Sequence, residues 1–99
     1  MAVRIIISED LRAKLAAKHD VGEPEVMQCF ANMTGKLLTD AREEHRTDPP
    51  TLWFIAPTNK GRLLKVCYVP RGDFYIRTCY PPNEVELAIY RKHGQPIDF

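Results

Sequence analysis

Long apolar runs are missing from this 99-residue chain. No stretch approaches the roughly 20 apolar residues that a helix needs to cross a bilayer. The opening MAVRIIISED is too short an apolar segment for a secretory signal, so a cytoplasmic location is the expectation. Cysteine is scarce: Cys29, Cys67 and Cys79 are odd in number and form no CxxC, which excludes a disulfide framework. All three sit in apolar runs and read as reduced packing residues. Histidine is scarcer in pattern than in number. His19, His45 and His93 form neither HxH nor HxxxH, so no metal site is expected, and no cofactor. There is no glycine-rich phosphate loop and no nucleophile elbow. Repeats, low-complexity segments and linkers are also missing. One domain over 1–94 with a tail over 95–99, loose unless Ile97 and Phe99 dock, is the expected organisation.

Charge is close to balance, at +1, but unevenly spread. Residues 1–50 hold seven basic and nine acidic side chains; residues 51–99 hold seven basic and four acidic ones. Lys60, Arg62, Lys65, Arg71 and Arg77 face a single acid, Asp73, between 60 and 77. A local patch of this kind suits a specific phosphate contact or a small acidic partner better than general nucleic-acid binding.

The patch lies inside the most structured-looking run, Thr51 to Tyr80. Three apolar strands are expected there, near 51–56, 62–69 and 74–80. Asn59-Lys60-Gly61 and Pro70-Arg71-Gly72 turn the chain between them. Such short connections require antiparallel pairing. Trp53, Tyr68, Tyr75 and Tyr80 accompany the cations. A sheet with cations and aromatic faces can hold RNA; an ordinary sheet with a solvated edge has the same composition.

Upstream, Val3 to Ile7 is a β-branched strand candidate. Ser8 then caps a helix running to about Lys18, with Glu9 and Asp10 in its first turn. Gly22-Glu23-Pro24-Glu25 opens a second helix with a Val26, Met27, Phe30, Met33 stripe, and Gly35 is its expected stop. Leu37 and Leu38 suggest a short extended piece. Asp40 to Pro50 is a charged connector. Asn83 and Glu86 form a capping box before a third helix that ends at Gly94. The expected fold class is α+β: an antiparallel sheet of a short N-terminal strand plus a three-stranded meander, two N-terminal helices and one C-terminal helix.

In element order and spacing the chain resembles the RelE/ParE superfamily of small bacterial toxins, most closely its BrnT-like branch. Four features carry the likeness. Lys18-His19-Asp20-Val21 ends the first helix, and an acidic, Pro-initiated helix follows to Phe30. Glu43-Glu44-His45 precedes the first meander strand. Gly61-Arg62-Leu63-Leu64-Lys65-Val66 leads to Tyr68. Arg77 stands in the last strand before a helix with Glu84, Glu86 and Tyr90. Together they span most of residues 11–92. Pro50-Thr51 and Cys79-Tyr80-Pro81-Pro82 occupy two places where BrnT-like sequences tend to carry arginine. The resemblance implies a RelE-like fold and a ribonuclease that cuts messenger RNA, inhibited by an antitoxin protein encoded beside it. The alternatives are a catalytically silent binding module for RNA or an acidic protein, and a regulatory subunit that pairs through its sheet edge. A homodimer is compatible with each.

Metal-free RNA cleavage needs a base for the 2′-hydroxyl, cations for the phosphorane and an acid for the leaving oxygen. Arg77 and Lys65, at interior strand positions, lead the candidates for phosphate stabilisation. His45, in the connector, leads for acid or base, because imidazole ordinarily titrates near neutrality. Tyr80 and Tyr90 are alternatives. Arg62, Lys60 and Arg71 are candidate phosphate contacts, and Trp53 a candidate base stacker. His19 and His93 read as electrostatic partners of the helix ends that carry them.

Overall fold

The computed structural model describes residues 2–40 and 48–99. Strand β1 is short, Ile5–Ile6, and helix α1 follows over Glu9–His19. The Ser8 hydroxyl accepts the Leu11 N–H at 3.2 Å, satisfying one of the donors that a helix start leaves open. Asp20 closes α1 in the left-handed region, with φ 52°, a conformation that Asp tolerates. Helix α2 runs over Glu23–Asn32, with Pro24 in its first turn. It stops before Gly35, the expected terminus, because Met33 is already extended (ψ 126°).

Strand β2 (Leu38–Thr39) leads towards the connector. The meander follows as β3 (Leu52–Pro57), β4 (Leu63–Arg71) and β5 (Asp73–Tyr80), and helix α3 spans Glu84–His93. Gly72 (φ 78°) makes the β4–β5 turn, in a region that side chains disfavour. Asn83 Oδ1 accepts the Glu86 N–H at 2.8 Å while the Glu86 carboxylate accepts the Asn83 N–H at 3.0 Å. That is the capping box foreseen from the sequence.

The fold is α+β, and its sheet order is β1-β5-β4-β3-β2. The meander is antiparallel as expected. The N-terminal strand is not: Ile5 and Ile6 lie parallel to Phe74 and Tyr75 at one edge, so the sheet is mixed. Parallel pairing requires a long crossover, and everything from α1 to β4 supplies it. At the other edge Leu38 and Thr39 pair antiparallel with Trp53 and Leu52, a fifth strand that sequence placed only as an extended piece.

Central strand β4 is buried from Leu64 to Val69. Successive side chains point to opposite faces. On one face Phe30 of α2 meets Phe54, Tyr68 and Phe74, at centroid distances of 4.9, 5.3 and 5.8 Å. On the other, Tyr90 of α3 lies 5.6 Å from Trp53. Gly35 and Gly94 both abut the Tyr90 ring, and a Cβ at either would collide with it. The Tyr90 hydroxyl donates to the Lys36 carbonyl at 2.8 Å. The tail is docked rather than loose. Phe99 stacks on Tyr90 at 6.1 Å, and Thr34 bonds Asp98 and the Ile97 N–H. Ile97 itself is 86% exposed. All three cysteines are buried and none is in a disulfide. Burial pushes the Cys29 thiol up to about 12 and raises Cys79 as well, so neither is a nucleophile at neutral pH.

Candidate functional site

Arg77 owes its position to an irregularity in β5. Cys67 pairs with Thr78, but the next residue, Tyr68, pairs with Ile76. Arg77 is the extra residue of a β-bulge, a device that re-aims a side chain. The bulge brings Arg77 and Thr78 to the same cavity as Cys67. This cavity, about 290 Å³, lies between α1 and the sheet. Lys14 and His19 line it from the helix, Thr78 and Arg77 from β5, and Thr51 from just before β3. Arg77 is exposed and pairs with no carboxylate among the described residues. It also lines a second cavity of about 350 Å³, with Val69, Arg71 and Tyr75. No described residue lining either cavity is acidic. The two hollows share Arg77 and, among the described residues, are lined by the cations Lys14, Arg71 and Arg77 and by no carboxylate; together they are called the groove.

Beside the groove stands a closed polar cluster. The Lys65 ammonium donates to Glu86 Oε2 at 2.7 Å, and the Tyr80 hydroxyl donates to the same oxygen at 2.5 Å. Lys65 also lies 4.5 Å above the Trp53 ring. Burial is the largest single influence on Lys65 and works to lower its pKa, but the bond to Glu86 and the neighbouring Cys67, Tyr80 and Glu86 charges together outweigh it, and the net shift is upward. Burial raises Tyr80, and its bond to Glu86 raises it further. Burial works to raise Glu86, yet the bonds from Lys65, Tyr80 and the Asn83 N–H, with the Lys65 charge, together bring it below the usual carboxylate range. The cluster is a satisfied ion pair with a neutral phenol. Its link to the groove is His19, whose ring lies 5.5 Å from that of Tyr80.

The residues named from sequence are thus divided. Arg77 stands in the groove, with Arg71 beside it in the second cavity; among the described residues the Arg71 side chain makes one long hydrogen bond, 3.4 Å, to the Asp48 carbonyl. Lys65 and Tyr80 come together, but around Glu86 and not around open space. Trp53 is 8% exposed beneath Lys65 and against Tyr90, so as placed it offers no face to a base. Arg62 is a brace. It donates to the His19 and Asp20 carbonyls at 2.6 and 2.7 Å and to Glu25 at 3.2 Å, tying the end of α1 to the start of α2. Lys60 sits at an exposed turn by a third hollow that also holds Asp20 and Glu25, a poor place for an anion. His45 lies outside the described residues.

His19, Lys14 and Tyr75 were not singled out from sequence as site residues. The signal for His19 was present: Leu11, Leu15 and His19 repeat every four residues, so His19 continues the stripe that α1 turns to the sheet. Among the described residues no group of three or more potential ligands could hold a metal ion, and no helix is long and apolar enough to cross a membrane. No protein-family model matches the chain, and no curated protein matches it significantly.

Proposed function

We propose that this chain is a toxin-like, metal-independent endoribonuclease that cuts single-stranded RNA, messenger RNA above all, in the groove around Arg77. The reading rests on one observation. Lys14, His19 and Arg77 line one cavity to which the described residues contribute no carboxylate. Arg77 and Lys14 are placed to stabilise charge that develops on a phosphate. The His19 imidazole takes the proton from the 2′-hydroxyl. The 2′ oxygen then attacks phosphorus, and the 5′ oxygen leaves with a proton from water. The products are a 2′,3′-cyclic phosphate and a 5′-hydroxyl end. An acidic antitoxin laid over the groove would shut it, and the compartment would be the cytoplasm.

Purified protein incubated with single-stranded RNA and excess EDTA is expected to yield cyclic-phosphate ends. Arg77→Ala and His19→Ala are each expected to slow cleavage by about a hundredfold or more, and His45→Ala tests the connector histidine in parallel. Wild-type rates in both groove variants would overturn the reading.

A second reading, an RNA-binding module without catalysis, is favoured by the closed cluster. Lys65 and Tyr80, two of the catalytic candidates read from the sequence, are engaged by Glu86. Retention of RNA with no cyclic-phosphate product would decide for it.

A further inference from the structure

The second cavity has a composition that phosphate binding alone does not require. Tyr75 is 43% exposed, although it belongs to a strand whose neighbours Phe74 and Ile76 turn into the core. Its partner across the β4–β5 ladder is Val69, 4% exposed, which floors the hollow. Arg71 and Arg77 stand at the hollow with it. Asp73, which pairs with Arg71 across the turn, would be expected to neutralise it. Arg4 holds that carboxylate instead, through its Nε and Nη2 at 3.2 and 3.0 Å and its backbone N–H at 3.1 Å. Among the described residues Arg71 has no carboxylate partner. A half-exposed tyrosine that shares a hollow with two arginines and a buried valine is a combination on which a nucleobase can stack while adjoining phosphates are held.

We infer that Val69, Arg71 and Tyr75 form a nucleobase-stacking subsite for single-stranded RNA, one nucleotide away from the phosphate at Arg77. The inference rests on the RNA-binding part of the function proposed above and deepens it. The base lies against the Tyr75 ring. Arg71 takes the phosphate on the far side of that nucleotide, and Arg77 takes the phosphate that the two cavities share. The subsite positions the strand; it touches no reacting bond. Tyr75 is thus a positioning residue, and stacking makes it tolerant of base identity.

The test uses the full chain and a fluorescein-labelled 2′-O-methyl oligoribonucleotide, which lacks the attacking hydroxyl, so that binding is read without cleavage. Fluorescence anisotropy titrations compare wild type with Tyr75→Ala, Tyr75→Phe and Arg77→Ala. Tyr75→Ala is expected to weaken binding about tenfold, and Tyr75→Phe, which keeps the π-face, to bind as wild type. Oligonucleotides with a single abasic position are the second arm. Wild type is expected to lose about tenfold for the abasic position that falls on the subsite, and Tyr75→Ala to be indifferent to it. Wild-type affinity in Tyr75→Ala, with binding lost in Arg77→Ala, would overturn the subsite and leave the groove reading standing. A wild-type protein that binds no oligonucleotide would overturn both. Because Tyr75 is half-exposed, its alanine variant is expected to fold, and its thermal unfolding midpoint checks this.

Discussion

Lys65 shows how one residue type can be drawn to two opposite fates. A lysine inside a strand is costly unless its charge meets water or a partner. Here the partner is Glu86, with Tyr80 on the same oxygen. Removing one member of a buried pair strands the other, so Lys65→Ala is expected to lower stability by about 3 kcal/mol. Lys65→Met combined with Glu86→Gln is expected to recover most of that loss, since an apolar or neutral pair of similar volume is often tolerated. Urea unfolding midpoints measure both. The same cluster fixes a pH profile. Glu86 titrates lower in the folded chain than unfolded, so its contribution is full above the ordinary glutamate pKa and is lost as pH falls through the folded value. Lys65 and Tyr80 titrate higher when folded, so theirs is full below their ordinary pKa values and lost as pH rises through the folded ones. The urea midpoint should hold level between about pH 5 and 9 and fall on both sides. Glu86→Gln should flatten the acid limb without abolishing it, because Asp73 is also held low by its backbone and side-chain bonds to Arg4. An unchanged acid limb in Glu86→Gln would remove the cluster from the account.

At the scale of elements, two arginines on the same sheet part company. Arg62 joins the last carbonyls of α1 to the first turn of α2, where a cation also suits the carboxyl end of a helix. Arg77 braces nothing among the described residues. Arg62→Ala is therefore expected to lower stability by about 2 kcal/mol and leave RNA affinity unchanged. Arg77→Ala is expected to do the reverse, with an unfolding midpoint within about 0.5 kcal/mol of wild type and binding weakened at least tenfold. Differential scanning calorimetry and anisotropy on the same preparations separate the two. Sequence ranked Arg77 above Arg62 as a phosphate contact by its interior strand position, but the brace made by Arg62 was hidden, because its partners lie far away in the chain. Local chemistry was legible where it is local: the Ser8 and Asn83 caps and the Pro24 start lie where spacing put them, while the second meander turn is tighter than Pro70-Arg71-Gly72, because β4 runs on to Arg71 and only Gly72 separates it from β5. The β5 bulge was not legible, since it shows only when Cys67 and Tyr68 are matched against Thr78 and Ile76. Nor was the parallel seat of β1, which depends on where β5 ends up. His19 was read as a partner of its own helix end, and the sheet beneath α1 gives it a second setting.

For the whole molecule the net charge of +1 conceals the groove, because four of the thirteen acids are paired away from it. Asp73 is held by Arg4, Glu25 by Arg62, Glu23 by Arg12 and Glu86 by Lys65. Lys14, Arg71 and Arg77 line the joined cavities without such a partner among the described residues. Binding driven by those three cations has a signature in salt. Each single-strand phosphate neutralised contributes about −0.7 to the slope of log affinity against log salt. Three contacts predict a slope of roughly −2 for wild type, and the loss of any one contact should raise it to about −1.4. Arg77→Ala and Arg71→Ala should each show that change. Tyr75→Ala should lower affinity at every salt concentration and leave the slope alone, because stacking releases no counterions. Titrations between about 50 and 200 mM salt span enough of the range to resolve these slopes. A slope near zero for wild type would mean that the groove does not meet phosphate, and an unchanged slope in Arg77→Ala would move the contact to another cation of the chain.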